Sequence, residues 1–192
     1  ITDARTIADA NNLNRFVAVS SSNLGALGQE FDGYELVNRG AGAIVALDGQ
    51  SVSGMFLSGM RVQGNDDGSN AARTSYKNCR LDGNTLGDFT SSNCAFGGDI
   101  VFAQASNQYT VYIPRQVSST PVTFDYALLT SVELIAQQVS CDIELKQLAA
   151  TSTAYIHGDG GEITINANCT GGTVTIYGAF TVTDNSGAAV TI

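Results

Sequence analysis

A short motif occurs three times in the middle of the chain, as Ser58-Gly59-Met60-Arg61-Val62-Gln63-Gly64, Lys77-Asn78-Cys79-Arg80-Leu81-Asp82-Gly83 and Ser92-Asn93-Cys94-Ala95-Phe96-Gly97-Gly98. Each copy has a small or soft apolar residue in third place, a large apolar residue in fifth place and a glycine at its end. The copies begin at residues 58, 77 and 92, which are 19 and then 15 residues apart. A short strand cannot bury its apolar face alone, so repetition at this period predicts stacked coils that share one continuous core.

Length and composition agree with one domain that is rich in strands. The chain has 192 residues, which is close to the usual size of a single globular unit. Its 21 glycines against only 2 prolines favour short strands joined by tight turns. We expect residues 1–192 to form a single domain, in which 51–192 are stacked coils ending in a regular β region. Residues 1–50 are expected to form either the first coils or an N-terminal cap and attachment part.

The charge and the hydropathy of the chain each exclude one class of partner. The formal net charge is −9 and only 9 residues are Lys or Arg, which disfavours binding to nucleic acid. The longest nearly continuous apolar stretch, Ala41 to Leu47, is far shorter than the roughly 20 residues that cross a bilayer, so no membrane insertion is expected. The chain opens at Ile1 without a methionine, and we expect it to be processed or cut from something longer.

The four cysteines, Cys79, Cys94, Cys141 and Cys169, are widely spaced. None belongs to a CxxC pair, so no metal site is expected. Cys79 and Cys94 occupy the motif position that Met60 fills in the first copy. This equivalence predicts small apolar residues stacked inside the coils, while the even number of cysteines leaves disulfides as the alternative.

The pattern along the chain predicts one helix followed by strands. Thr2 to Leu13 reads as a short helix, with Thr2 or Asp3 as its N-cap. Residues 128–139 fit both a helical and a strand pattern, whereas 141–146 alternate like a strand. Further strands are predicted at Phe16–Val19, Tyr34–Val37, Ile44–Leu47, Ile100–Phe102, Tyr109–Ile113, Glu162–Asn166, Thr173–Tyr177 and Phe180–Thr183.

The polar, glycine-rich segment 64–74 is predicted to be a loop between coils, and loops often carry the specificity of a solenoid. It lacks the alternating acids and distal glutamate of a calcium loop, so a plain turn is the preferred interpretation. Any receptor contact is therefore assigned to a surface formed by Asn65, Asp66, Asp67, Ser69 and Asn70.

An enzymatic alternative rests on paired acids, because β-helices also host enzymes that cleave polysaccharides. Asp142 and Glu144 form the best pair, since residues i and i+2 project from the same side of a strand roughly 6.5–7 Å apart. Lys146 extends this row, and the preferred interpretation is an exposed face that partly neutralises itself. The single histidine, His157, has no partners for a triad or a metal site and is read as a residue beside a turn. We therefore expect no catalytic residue, cofactor or metal.

The aromatic residues offer one further surface. Tyr109, Tyr112 and Tyr177 would form a sugar-binding platform if they were exposed together. Packing in a core or an interface is the expected role of most aromatic residues in the chain.

The end of the chain resembles a known family. Cys169-Thr170-Gly171-Gly172-Thr173-Val174-Thr175-Ile176-Tyr177-Gly178, followed by Phe180-Thr181-Val182-Thr183-Asp184-Asn185-Ser186-Gly187, is similar to the closing segment of β-helical virion proteins of tailed bacteriophages. The resemblance covers about the final thirty residues closely and the repeat region only in style. It implies an all-β, right-handed parallel β-helix, usually a homotrimer, with no catalytic residues.

These observations lead to one expected function and one alternative. We expect a structural component of a bacteriophage virion, either a tail fibre or spike segment or a capsid decoration, that works by rigid display and self-association. Its expected partners are copies of itself, other virion proteins and a host surface glycan. The alternative is a β-helical polysaccharide depolymerase or carbohydrate-binding module.

Overall fold

The computed structural model describes residues 2–25, 31–40, 42–105, 107–117 and 119–192. The chain is nearly all-β and forms a right-handed parallel β-helix of about eight turns. The elements in chain order are α1 (Thr2–Ala10), β1 (Arg15–Ala18), β2 (Ser22–Asn23), β3 (Glu35–Asn38), β4 (Ile44–Ala46), β5 (Phe56–Ser58), β6 (Arg61–Gln63), β7 (Thr74–Lys77), β8 (Arg80–Asp82), β9 (Thr85–Leu86), β10 (Phe89–Ser92), β11 (Ala95–Gly97), β12 (Asp99–Phe102), β13 (Gln108–Tyr112), β14 (Arg115–Gln116), β15 (Val122–Asp125), β16 (Glu133–Val139), β17 (Ile143–Lys146), β18 (Thr153–Gly158), β19 (Glu162–Ile165), β20 (Thr173–Gly178) and β21 (Thr181–Asp184).

The strands form three parallel sheets along the axis. Sheet A has nine strands in the order β1-β3-β5-β7-β10-β13-β16-β18-β20, sheet B has six in the order β14-β11-β8-β6-β4-β2, and sheet C has six in the order β21-β19-β17-β15-β12-β9. Sheet B ends at β14, so the last coils contain sheets A and C only. Their sheet A strands are longer, with seven residues in β16 and six in each of β18 and β20. The strands of this C-terminal part are the longest of sheet A.

The three motif copies stack directly on one another. Lys77 is the register partner of Ser58 on one side and of Ser92 on the other. Because the copies begin at equivalent points of successive coils, each 19- or 15-residue interval is one full turn. The strands β1, β3 and β4 belong to the same stack, so the sequence from Phe16 onward forms its first coils.

A column of residues with left-handed backbone conformation turns the chain from sheet A into sheet B. Gly59, Asn78, Asn93 and Ile113 have φ angles of 77°, 52°, 54° and 52°. Each N–H in this column donates a hydrogen bond to the next coil, as from Asn78 N to Ser92 O at 3.0 Å. The side-chain amide of Asn93 also donates to Oδ1 of Asn78 at 2.7 Å, which forms a short asparagine ladder. The corner therefore favours glycine and asparagine at every level.

The core runs through the stack without a break. Its aromatic part is formed by Phe89, Phe102, Tyr109, Phe124 and Tyr126, and the rings of Phe102 and Tyr109 stack with centroids 4.1 Å apart. Cys79 and Cys94 are buried, with exposed fractions of 2% and 0%, and all four cysteines are free. The prediction that these two cysteines fill the core beside Met60 is confirmed.

Helix α1 ends at Ala10, three residues before the predicted end at Leu13. Asn12 has φ 54°, and the N–H of Leu13 donates to the carbonyl of Ala8 at 2.8 Å, which closes the helix. The side chains of the predicted caps, Thr2 and Asp3, lie outside the described residues.

The helical alternative for residues 128–139 is wrong. Residues Ala127, Leu128 and Ser131 have positive φ angles and are followed by β16. The apparent helical spacing combines the inward Val132 and Val139 with the outward Ile135. A bulge at Gln138, with φ 55°, shifts the strand period by one residue and so turns Val139 inward.

Candidate functional site

The predicted loop at residues 64–74, which precedes and enters β7, is hydrogen-bonded to the neighbouring coil. Asp66 and Asn70 are only 6% and 5% exposed. The Asp66 carboxylate accepts hydrogen bonds from Gly87 N–H at 2.9 and 3.0 Å, from Gly68 N–H at 2.8 Å and from Asn70 Nδ2 at 2.8 Å. Burial raises the pKa of Asp66 despite these donors. Both residues thus serve the structure and are not placed to contact a receptor.

The other three predicted loop residues are exposed. Asp67 accepts hydrogen bonds from the N–H of Ser69 at 3.0 Å and from its hydroxyl at 2.7 Å, which is the geometry of a polar turn. The side-chain oxygen of Asn65 accepts from Thr85 N–H at 2.7 Å and so helps to hold the next coil. The surface available for contact at this loop is therefore small.

The predicted row of Asp142, Glu144 and Lys146 lies on the outer side of sheet C, as the alternation indicated, while Ile143 and Leu145 are buried. Asp142 accepts a hydrogen bond from Glu162 N–H at 2.9 Å. The carboxylate group of Glu144 accepts from Thr123 Oγ1 at 3.2 Å and from Asn166 Nδ2 at 2.9 Å, and lies 3.6 Å from Lys146 Nζ. Lys146 also pairs with Asp99 at 3.0 Å. Both acids are thus tied into contacts that join neighbouring coils.

A different surface lies on the outer side of sheet A, near its C-terminal end. We call it the tyrosine face, and it consists of Tyr112, Ile135, Gln137, Tyr155, His157 and Tyr177. The registers place Tyr112, Gln137, His157 and Tyr177 in one column and Ile135 and Tyr155 in the next. Tyr112, Tyr155 and Tyr177 are 39%, 38% and 59% exposed. The ring of His157 meets that of Tyr177 edge to face, with centroids 6.4 Å apart.

Of the three tyrosines considered for an aromatic platform, Tyr112 and Tyr177 are exposed on this face and Tyr109 is not, so the three are not exposed together. Tyr109 points inward and is fully buried, because it alternates with Tyr112 along β13. Tyr155 and His157 complete the face. A 20-residue spacing that links Gln137, His157 and Tyr177 is visible in the sequence and would have identified them.

The tyrosine face carries almost no charge. Among the outward residues of β13, β16, β18 and β20, Glu133 is the only charged one, and it accepts a hydrogen bond from the amide of Gln108. Sheet C presents a charged outer side in the same part of the stack, with Asp99, Glu144, Lys146 and Glu162. The two long sides of the molecule thus differ in chemical character.

A shallow groove of about 340 Å³ crosses the tyrosine face. It is lined by Ile135, Ala136, Gln137, Tyr155, His157 and Tyr177. Aromatic rings, an amide and an imidazole offer apolar contact together with neutral hydrogen-bonding groups. The groove suits an uncharged partner.

The described part of the chain was also compared with the requirements of a metal site and of a membrane span. No group of three or more His, Cys, Asp or Glu side chains lies close enough there to hold a metal ion. Burial raises the pKa of Cys141 to about 11, so this thiol is a poor nucleophile. None of the helices in the described ranges has the length and apolar character of a membrane-spanning segment.

Comparison of the chain with protein-family models, curated proteins and solved structures gives no match.

Proposed function

We propose that this chain is a structural module that works by rigid display and self-association, and that copies of it meet at the tyrosine face. The observation that carries the proposal is the uncharged character of that face in a chain of net charge −9. Two like-charged molecules repel each other least where neither presents a charge. Tyrosine is also enriched at the centres of protein interfaces, where it becomes buried when the partners associate.

The architecture supports a mechanical role. Nine strands of sheet A stacked about 4.8 Å apart give a rod roughly 38 Å long. Asp66 and Glu144 accept hydrogen bonds from neighbouring coils and so tie the stack together.

The biological setting of the proposal comes from the sequence resemblance described above. We place the module in a bacteriophage virion, as a fibre or spike segment or a capsid decoration, and assign it a homotrimeric state. Labelling of purified particles with an antibody against this chain would test the setting. Particles that carry no label would contradict it.

Light scattering on the purified chain at several concentrations tests self-association. A trimer has three times the chain mass of 20.0 kDa, or 60.0 kDa. The variant Tyr155→Lys places a charge in the middle of the tyrosine face and should lower the mass towards that of a monomer. The matched control Thr164→Lys places the same charge on the outer side of sheet C and should leave the mass unchanged.

Each outcome has a distinct meaning. A wild-type mass of 20.0 kDa at every concentration would contradict self-association. An oligomer that persists in Tyr155→Lys would show that the interface lies outside the tyrosine face. The proposal of self-association itself would then stand.

The groove on the tyrosine face favours a second candidate, a module that binds a neutral carbohydrate. Tyrosine rings can stack on the apolar side of a sugar while Gln137 and His157 bond to its hydroxyls. Titration with neutral bacterial polysaccharide, followed by tyrosine fluorescence, distinguishes the candidates, since binding by a monomer would favour this one. Release of new reducing ends would extend it to a depolymerase.

A further inference from the structure

The two motif cysteines lie beside each other in neighbouring coils. Arg80 is the register partner of Ala95, which makes the preceding residues, Cys79 and Cys94, neighbours across the ladder. The N–H of Cys79 lies 3.4 Å from Sγ of Cys94. Adjacent strands are about 4.7–4.9 Å apart, which falls inside the Cα separation of about 4.4–6.8 Å that a disulfide requires. The backbone therefore places the two residues within the Cα separation that a disulfide allows.

All four thiols donate weakly to backbone carbonyls at 3.4–3.5 Å, from Cys79 to Leu57, from Cys94 to Tyr76, from Cys141 to Pro114 and from Cys169 to Leu145. The contact of the Cys79 N–H with Sγ of Cys94 sets the first two apart. A hydrogen bond from the thiol of Cys94 lowers the pKa of Cys79, and the same contact raises the pKa of Cys94. Cys79 is thus the one of these two cysteines that loses its proton more readily, and Cys94 lies beside it across the ladder.

We propose that Cys79 and Cys94 form a disulfide that closes one complete coil of the β-helix when the protein meets a small disulfide oxidant such as oxidised glutathione. The Cys79 thiolate attacks one sulfur of the oxidant, which forms a mixed disulfide and releases one glutathione. The sulfur of Cys94 then attacks the Cys79 sulfur of that mixed disulfide, and the second glutathione leaves and takes up the proton. Two cysteine thiols are oxidised and one glutathione disulfide is reduced to two thiols.

The bond would act as a clasp around a closed loop of the chain. Residues 79 and 94 are 15 positions apart, and a crosslink over a loop of this size raises the ratio of folded to unfolded molecules by about a hundredfold. Both sulfurs are buried, so local opening of the coil limits the rate of oxidation but does not change its equilibrium. The proposal does not depend on the function proposed above.

Equilibration of the full chain in glutathione buffers of graded redox potential tests the clasp. Thiols are then alkylated in denaturant and counted by mass. We expect the number of free thiols to fall from four to two, with peptide mapping that joins Cys79 to Cys94. Cys169→Ala is the matched control, and there the count should fall from three to one. In Cys79→Ala the internal crosslink should not form.

Several results would overturn the proposal. Four free thiols in the most oxidising buffer, or a crosslink that maps to Cys141 or Cys169, would each do so. The midpoint of urea unfolding provides a second measurement that does not need a variant, since the oxidised wild-type protein should unfold at higher urea than the reduced one. An oxidised form that unfolds at the same or lower urea would contradict the clasp.

Discussion

Ile113 belongs to the column of left-handed residues between sheets A and B, and this backbone conformation disfavours isoleucine. Its replacement should show which residues the column prefers. Ile113 has φ 52° where the preceding coils have Asn78 and Asn93, and it is 40% exposed. A left-handed conformation costs an ordinary L-residue roughly 1–2 kcal/mol, whereas glycine and asparagine adopt it readily. An asparagine at this position would also continue the ladder, because its amide could donate to Oδ1 of Asn93.

The magnitude is best measured against Ile113→Ala, since every replacement loses the partial burial of the isoleucine. Ile113→Gly should be about 1 kcal/mol more stable than Ile113→Ala, because it removes the backbone strain that alanine keeps. Ile113→Asn should gain about 0.5 kcal/mol more from one solvent-exposed hydrogen bond. At an ordinary exposed strand position alanine would not be the least stable of the three.

Urea unfolding of the three variants, followed by circular dichroism, measures these differences through the midpoint at constant slope. The wild-type protein serves as the reference for the slope. The reasoning fails if Ile113→Ala equals or exceeds both other variants in free energy of unfolding. If only the glycine variant is stabilised, the strain is real and the ladder does not extend.

Gly158→Ala should lower the free energy of unfolding by about 3 kcal/mol in the urea assay, because the added Cβ would lie 2.0 Å from the carbonyl oxygen of Val139. Gly33→Ala should lower it by about 1 kcal/mol, because the added Cβ meets no atom within 4 Å and only the φ of 76° disfavours alanine. Leu145→Ala removes a fully buried side chain from sheet C and should lower the thermal midpoint, with a loss of about 2–5 kcal/mol. Burial raises the pKa of Asp66, so its contribution to stability is present below the ordinary carboxyl pKa and is lost as the pH rises through the folded-state pKa. The stability of the wild-type protein relative to Asp66→Asn should therefore fall as the pH rises above the ordinary carboxyl pKa, and a difference that rises with pH would contradict this assignment.

The stacking of coils could be predicted from the sequence because the motif repeats the whole corner. Each copy specifies the turn residue, the buried sulfur and the large core residue at once, so Met60, Cys79 and Cys94 fall into one column without knowledge of the fold. The strands near the C-terminus were equally clear, since their alternation is uninterrupted from Thr173 to Tyr177. Local pattern and global fold agree in these segments.

Two features could not be predicted because they depend on contacts between coils. Residues 128–139 mimic a helix, since the outward Ile135 is apolar and the bulge at Gln138 displaces Val139 from the strand period. Only pairing with β13 and β18 reveals the strand. Asp66 lies in a polar, glycine-rich loop and still points inward, because the N–H of Gly87, a coil away, accommodates its carboxylate. The pattern of residues within one segment does not show which residues of a neighbouring coil the segment will contact.

The exact superposition of coils has a consequence at the level of the gene. Lys77 and Ser92 occupy the same place in the cross-section of the helix, so the segment from Asn78 to Ser92 starts and finishes at equivalent points. Deletion of this segment would join Lys77 to Asn93, in the geometry that Lys77 already has with Asn78. Duplication of the segment would join Ser92 to a second copy of Asn78, in the geometry that Ser92 already has with Asn93. Either event changes the length of the rod by one strand spacing of about 4.8 Å. Length can thus evolve in whole coils while the outward faces on either side keep their chemistry.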